Sequence, residues 1–258
     1  MEKKETKTIA SVEKAVLILE AIAESDSGLS VTEISEKLHS SPSAAYHLIN
    51  TLRQCEMLQQ NEQTKKYSLG IGIFRLHAFA QRQNTLASIA QPYLDELSQV
   101  CGETSNLLIL QNLQSIYVAQ SESNHIIKMF TQIGARVPYY CTGGGKVILA
   151  YMPESTQKFY LRETRFIPFT PNTIISAKEL SEELAAIREC GYGFDSGERE
   201  EGVICIAAPV FNAAGLPIAA VSISGPDYRF NQKERKILSQ RVVSAAQQIS
   251  LRFGWQDV

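Results

Sequence analysis

Ser43, Tyr46, His47, Asn50 and Gln54 fall on one side of a short segment, and Ala45, Leu48, Ile49 and Leu52 fall on the other. The apolar set recurs at i, i+3, i+4 and i+7, the period of a helix that buries one face. The polar set offers hydroxyl, phenol, imidazole and amide groups. Such groups hydrogen-bond to base edges in a DNA major groove, which admits one helix. The alternatives are a plain surface histidine at His47 and a packing role for Tyr46. A second group suits a different chemistry. Gly143-Gly144-Gly145 precedes a helical run, so free backbone N–H groups can face an anion there, helped by the helix dipole. The alternative is a mere tight turn. Ser222 and Ser224 alternate with Val221 and Ile223, so both hydroxyls share one face of a strand. The glycine run is not a Walker-type loop. Tyr140 stands where a Gly is needed, and Val147 follows the Lys where Ser or Thr is needed.

Local signals place these residues on elements. Ser11–Ala23 reads as a helix with Val12, Ala15, Val16, Leu19, Ile22 and Ala23 as its apolar stripe. Ser30 and Glu33 have capping-box spacing at the next helix start. Ser41 before Pro42 is a hydroxyl cap followed by a residue whose fixed φ suits the first helical position. Met57–Gln60, a turn at Asn61–Thr64, and Lys65–Leu69 read as a hairpin. Three helices and this hairpin make a winged helix-turn-helix over residues 1–72, and residues 73–84 read as a linker helix. Lys65 and Lys66 would meet phosphates from the wing, or else be a solvated hairpin.

The remainder, residues 85–258, begins with a helix from Thr85 to Val100. Leu107–Leu110, Ile116–Ala119, Ile126–Phe130, Gly202–Val210 and Leu216–Gly225 read as strands. Helices are expected at Gly144–Tyr151, Glu154–Leu161, Ala177–Glu189 and Gln232–Leu251. Strands joined by short turns, with helices at the ends, predict an α+β fold with an antiparallel sheet flanked by helices.

Bulk properties exclude several classes. Hydrophobic residues make up 44% and charged residues 20%, as in ordinary globular proteins. No apolar run approaches the roughly 18 residues of a membrane span, and Met1–Lys7 lacks a signal-peptide core, which predicts a cytoplasmic protein. Cys55, Cys101, Cys141, Cys190 and Cys205 are scattered, with no C-x-x-C pair, so neither a metal site nor a disulfide framework is expected. His39, His77 and His125 lack metal-ligand spacing, and no cofactor is expected. The net charge of −2 does not advertise nucleic-acid binding. Between Glu36 and Glu56, however, there is no acid, while Lys37, His39, His47 and Arg53 are present. Lys3, Lys4 and Lys7 form a basic arm.

Taken together, Lys65–Gly70, Gly143–Ala150, Gly191–Val210 and Ala220–Pro226 resemble the IclR family of bacterial transcription regulators, over roughly Ser11 to Phe253. The resemblance implies a winged DNA-binding domain, a linker helix and a C-terminal effector-binding domain similar to GAF-type sensors. It implies a homodimer or homotetramer on a palindromic operator, a repressor, and a small carboxylate or aromatic acid as effector. DNA contacts would come from Ser41, Ser43, Ala44, Tyr46, His47, Asn50, Arg53, Lys65 and Lys66. The effector pocket would use the N–H groups of Gly143 and Gly144 and the side chains of Asp195, Cys205, Ser222 and Ser224. Met129, Val137 and Val203 would form its apolar wall. The family usually carries a Ser-Thr pair and an Arg in the recognition helix, where this chain has Ser43, Ala44 and His47, and it favours Gly where Glu56 stands. Loss of that Arg removes a bidentate guanine reader. Two rival readings remain. One is a sensor that has lost DNA binding and acts through protein partners. The other is a GAF-like enzyme using Cys205, with His125 as its nearest candidate base.

Overall fold

The computed structural model describes residues 8–83 and 85–256; the basic arm of Lys3, Lys4 and Lys7 lies outside them. The chain divides after Asn84 into two compact units. The first contains α1 (Ala10–Ala23), α2 (Val31–Lys37), α3 (Pro42–Gln54), β1 (Leu58–Gln60), β2 (Tyr67–Leu69) and α4 (Ile71–Gln83). Its local signals act as their chemistry dictates. Ser30 N–H donates to Glu33 Oε2 at 2.6 Å, while Glu33 N–H donates back to Ser30 Oγ at 3.3 Å. Ser41 Oγ accepts the Ala44 N–H at 3.3 Å, and Pro42 opens α3. β1 and β2 pair antiparallel, with Leu58 opposite Leu69 and Gln60 opposite Tyr67. Lys65 and Lys66 precede the second strand rather than belonging to it.

The core of this unit is Ile18, Ile22, Leu29, Ile34, Ala45, Ile49, Leu58 and Tyr67. The stripe expected on α1 is therefore rotated. Val12 and Val16 stay 58% and 48% exposed, and Ala23 is exposed as well. α1 is apolar on more than one side, so periodicity alone left its inner face ambiguous; contact with α2 and α3 selects Ile18 and Ile22.

The second unit contains α5 (Thr85–Cys101), β3 (Thr104–Gln111), β4 (Gln114–Ser121), β5 (Arg136–Pro138), α6 (Gly143–Tyr151), α7 (Glu154–Glu163), α8 (Ala177–Cys190), β6 (Gly193–Ser196), β7 (Val203–Phe211), β8 (Pro217–Pro226) and α9 (Gln232–Arg252). One antiparallel sheet runs β5-β4-β3-β8-β7-β6. α5 and α9 cover one face over Leu94, Leu107, Ile206, Val221, Ile223 and Val242. α6 and α8 cover the other over Val147, Ile148, Leu180, Leu184, Ala207 and Ala220. The strand expected at Ile126–Phe130 is absent. That segment is irregular, and Ile126, Ile127 and Phe130 are largely exposed. Its consecutive apolar residues lack the alternation of a half-buried strand. The outer strand is instead the three-residue β5.

Glu56 adopts φ +62°, in the left-handed region, where a glycine carries no side-chain penalty. Its carboxylate meets Arg75 Nη1 at 2.9 Å, but both side chains are more than half exposed, so the pair adds little. Glu56→Gly is expected to raise stability by about 0.5–1 kcal/mol in urea unfolding. A clear loss would show that the Arg75 contact outweighs the backbone strain.

Candidate functional site

The reading face of α3 is open. Ser41, Ser43, Ala44, Tyr46, His47 and Arg53 are exposed, and Asn50 is half-buried. Tyr46 and His47 stand edge-on with ring centroids 6.4 Å apart. The Ser41 hydroxyl is engaged as the helix cap, so its first duty is structural. Arg53 Nη1 reaches Gln60 Oε1 at 3.5 Å, and Gln60 Nε2 donates to the Lys65 carbonyl at 3.0 Å. That chain ties the end of α3 to the hairpin. Asn61 Oδ1 accepts from Gln63 and Thr64 N–H, which shapes the turn and leaves Lys65 exposed at φ +59°. Lys66 differs from Lys65: its ammonium lies 3.5 Å from Glu33 Oε1. The hairpin thus presents one open cation and one already facing a carboxylate.

In the second unit a narrow cavity of about 30 Å³ opens between the start of α6 and the sheet. Among the residues expected at the effector pocket, Gly144, Asp195, Cys205, Ser224, Met129 and Val203 line it. Gly143 adjoins it: a Cβ there would stand 3.4 Å from Cys205 Sγ and from Asp195 N. Ser222 lies on β8 next to Ser224 on the same sheet face, fully buried. Val137 does not line the cavity; it sits opposite Ser115 on the outer strand β5, and Leu108 and Tyr117 form the wall on that side. Thr142, Arg199 and Glu200 also line the cavity and were not anticipated. Arg199 and Glu200 sit between two glycines just past Asp195, a loop signal that could have pointed to them.

The start of α6 is arranged to meet an anion. Thr142 Oγ1 accepts the Gly145 N–H and the Thr142 carbonyl accepts the Lys146 N–H. The N–H groups of Gly143 and Gly144 are left at the helix end without intrahelical acceptors. Arg199 supplies a cation at the mouth, its guanidinium 4.1 Å from the Phe169 ring centroid.

Asp195 has a local task that sequence reasoning missed. Its Oδ1 accepts the Glu198 N–H at 2.7 Å and so shapes the loop that follows β6. Thr170 and Thr173 hydroxyls donate to the carbonyls of Gly197 and Glu198, each at 2.6 Å. Beneath the loop, Lys146 is fully buried, with Nζ 2.5 Å from Glu198 and 3.1 Å from Glu183. Burial raises Asp195 to about 6 and Glu198 to about 7, against the pull of Lys146. Lys146 itself stays charged, because the two glutamates outweigh its own desolvation. Burial, then the Asp195 charge, pushes the Cys205 thiol up to about 11, with the Ser224 and Ser222 hydroxyls pulling back. A thiol so protonated is a poor nucleophile at neutral pH. His125 lies against Gly102, outside the cavity lining. A larger hollow of about 380 Å³ beside Phe211 and Trp255 gathers none of the expected residues. No cluster of His, Cys, Asp or Glu suited to a metal ion occurs among the described residues.

Comparison with known proteins places both units. The family pattern described as IclR helix-turn-helix domain matches residues 11–62, and that described as Bacterial transcriptional regulator IclR C-terminal matches residues 78–251. HTH-type transcriptional regulator BhcR of Paracoccus denitrificans is 36% identical over 246 residues, 95% of this chain and 87% of that protein. HTH-type transcriptional regulator KdgR of Escherichia coli is 34% identical over 254 residues, 98% of this chain and 96% of that protein. The crystal structure of the Thermotoga maritima IclR superposes with a TM-score of 0.85 at 32% identity, covering 96% of this chain and all of the other. These relatives are transcriptional regulators.

Lys146→Met should cost about 3–5 kcal/mol in urea unfolding, because it strands buried carboxylates. Carboxylates raised by burial take up protons on folding, so their stabilising contribution is greatest below about 4.5 and is lost as pH rises through about 7. The Lys146→Met deficit should therefore shrink at about pH 5.5 and be largest at about pH 8. A deficit independent of pH would show that the ammonium matters through packing alone.

Proposed function

The chain belongs to the IclR family of bacterial DNA-binding transcriptional regulators, and on that premise we propose that it is a cytoplasmic repressor released from its operator by a small organic acid. The observation that carries the effector reading is the convergence of free α6 N–H groups, Cys205, Ser224 and the Arg199 cation on one cavity. A carboxylate at the Gly143 and Gly144 N–H groups would meet the helix dipole and charge-assisted hydrogen bonds. The cavity is narrow, so a bound acid would press on Met129, Arg199 and the loop after Asp195. That loop is bonded to Thr170, Thr173 and Lys146, so its movement would be felt through the α6 side of the sheet. Ligand binding then shifts a population between arrangements that differ in operator affinity.

On the DNA side, α3 is the recognition helix. Tyr46, His47 and Asn50 are the base-edge candidates; Arg53 and Lys65 are the phosphate candidates, with Lys66 secondary. A homodimer on a palindromic operator is supported by apolar side chains left open at Ile9 just before α1, on α1 (Val12, Val16) and on α4 (Ile71, Phe74), each 48–68% exposed. The same faces would serve within a tetramer.

Fluorescence anisotropy on duplex from the gene's own upstream region, against a scrambled duplex, tests the DNA reading. Lys65→Ala should weaken binding to both duplexes and reduce the log–log salt slope by about 1. Lys66→Ala should change that slope less, because Glu33 already faces its ammonium. His47→Ala should narrow the preference for the native duplex. Equal, negligible binding to both duplexes would instead favour a sensor acting through protein partners.

A further inference from the structure

Three half-buried rings converge at the end of α6 that lies away from the narrow cavity. Tyr151, the last residue of α6, meets Phe211 edge-on with ring centroids 5.1 Å apart, and Phe211 stacks on Trp255 at 5.6 Å and 27°. The rings border the hollow of about 380 Å³, whose floor includes Ala208 and Ala246, each 1% exposed. Local structure explains why the space exists. β6 begins opposite Ala207, so β7 runs on through Ala208–Phe211 with a strand neighbour only on its β8 side. Pro209 suits such an open edge, having no N–H to leave unpaired. Ser250 on α9 holds the end of β7: its Oγ accepts the Phe211 N–H at 2.9 Å and donates to the Ala246 carbonyl at 2.7 Å. After α9 the chain turns at Gly254 (φ +78°), and the Trp255 N–H donates to the Ser250 carbonyl at 3.1 Å, which brings the indole back over Phe211. At the rim, a Cβ on Gly191 or Gly215 would meet nothing within 4 Å, so the mouth is uncrowded.

The chemistry of the lining is selective. None of the side chains around the hollow is charged. Two carry polar groups, the Tyr151 hydroxyl and the Gln247 amide, and neither has a hydrogen-bond partner among the described residues. Burial raises the Tyr151 hydroxyl above its usual range, so it stays protonated and can donate or accept. Small-molecule sites are concavities of roughly 300–1,000 Å³, apolar and aromatic with a few polar groups, and the hollow meets each of these terms. It shares no lining residue with the narrow cavity.

We propose that this hollow is a second ligand site, separate from the acid cavity, which takes a flat aromatic molecule that has no net charge and carries a hydroxyl or N–H group. The ligand's ring packs against Phe211 and Trp255, and its polar group bonds to the Tyr151 hydroxyl or the Gln247 amide. A charged ligand would give up its water to a lining that offers no counter-charge. A saturated ring would lose the stacked and edge-on contacts that the three rings provide.

Trp255 is the one tryptophan of the chain, so the full-length protein labelled with fluorotryptophan gives a single fluorine NMR resonance at the hollow. para-Cresol and indazole should shift that resonance saturably, with midpoints at or below about 1 mM. Benzoate, benzylammonium and cyclohexanol should each need at least about tenfold more. Phe211→Leu should weaken both aromatic probes about fivefold or more. Tyr151→Phe keeps the ring and its packing, should weaken para-cresol about threefold to tenfold, and keeps the test decisive should Phe211→Leu fail to fold. A shift that never saturates, equal responses to charged and uncharged probes, or midpoints unmoved by Tyr151→Phe overturns the site. So does a resonance that moves with protein concentration alone, which would give the hollow to a second copy of the chain.

Discussion

A Cβ on Gly145 would collide with Ser115 Oγ and stand 2.5 Å from the Tyr139 carbonyl; one on Gly144 would stand 3.0 Å from Leu108. The first turn of α6 therefore lies closer to its surroundings than a helix bearing side chains could. Much of the second unit follows from that approach. The N–H groups of Gly143 and Gly144 arrive above β7 and β8, and Cys205 and Ser224 become walls of a cavity rather than anonymous strand residues. The cost appears one residue later. Lys146 is carried into the interior with its charge; Glu198 is buried with it, and Glu183 meets it from the partly exposed face of α8.

That buried charge links the cavity to the rest of the fold. Glu198 belongs to the loop that Asp195 shapes, and the same loop brings Arg199 and Glu200 to the cavity mouth. Burial, helped by the neighbouring Asp195 and Glu183 charges, lifts Glu198 to about 7 against the pull of Lys146, so a proton is held there near neutrality. A ligand that moves this loop disturbs a desolvated ion pair. Such a perturbation is large compared with a surface rearrangement.

What the sequence made legible was local. The capping box at Ser30, the Ser41-Pro42 start and the apolar face of α3 depend on residues within one or two turns, and the structure reproduces them. Gly144 and Ser224 were legible in the glycine run and the strand alternation, Asp195 and Cys205 through a family resemblance, and the four come together. Long-range partners were not legible: Lys146 and Glu198 are 52 residues apart, and Asn106 meets Ser222 only through strand register. The strand expected at Ile126–Phe130 failed because apolar content was read without alternation. On α1 the helix was legible but its inner face was not, since only the neighbouring helices choose between apolar sides.

The most direct test of the account is amide NMR of the full-length protein, titrated with the acid that changes its affinity for operator DNA. The Gly143 and Gly144 resonances should shift saturably, with the same midpoint as the change in DNA binding. If both stay unmoved while resonances elsewhere titrate, such as those around Trp255, the start of α6 is not where the effector's charge is held.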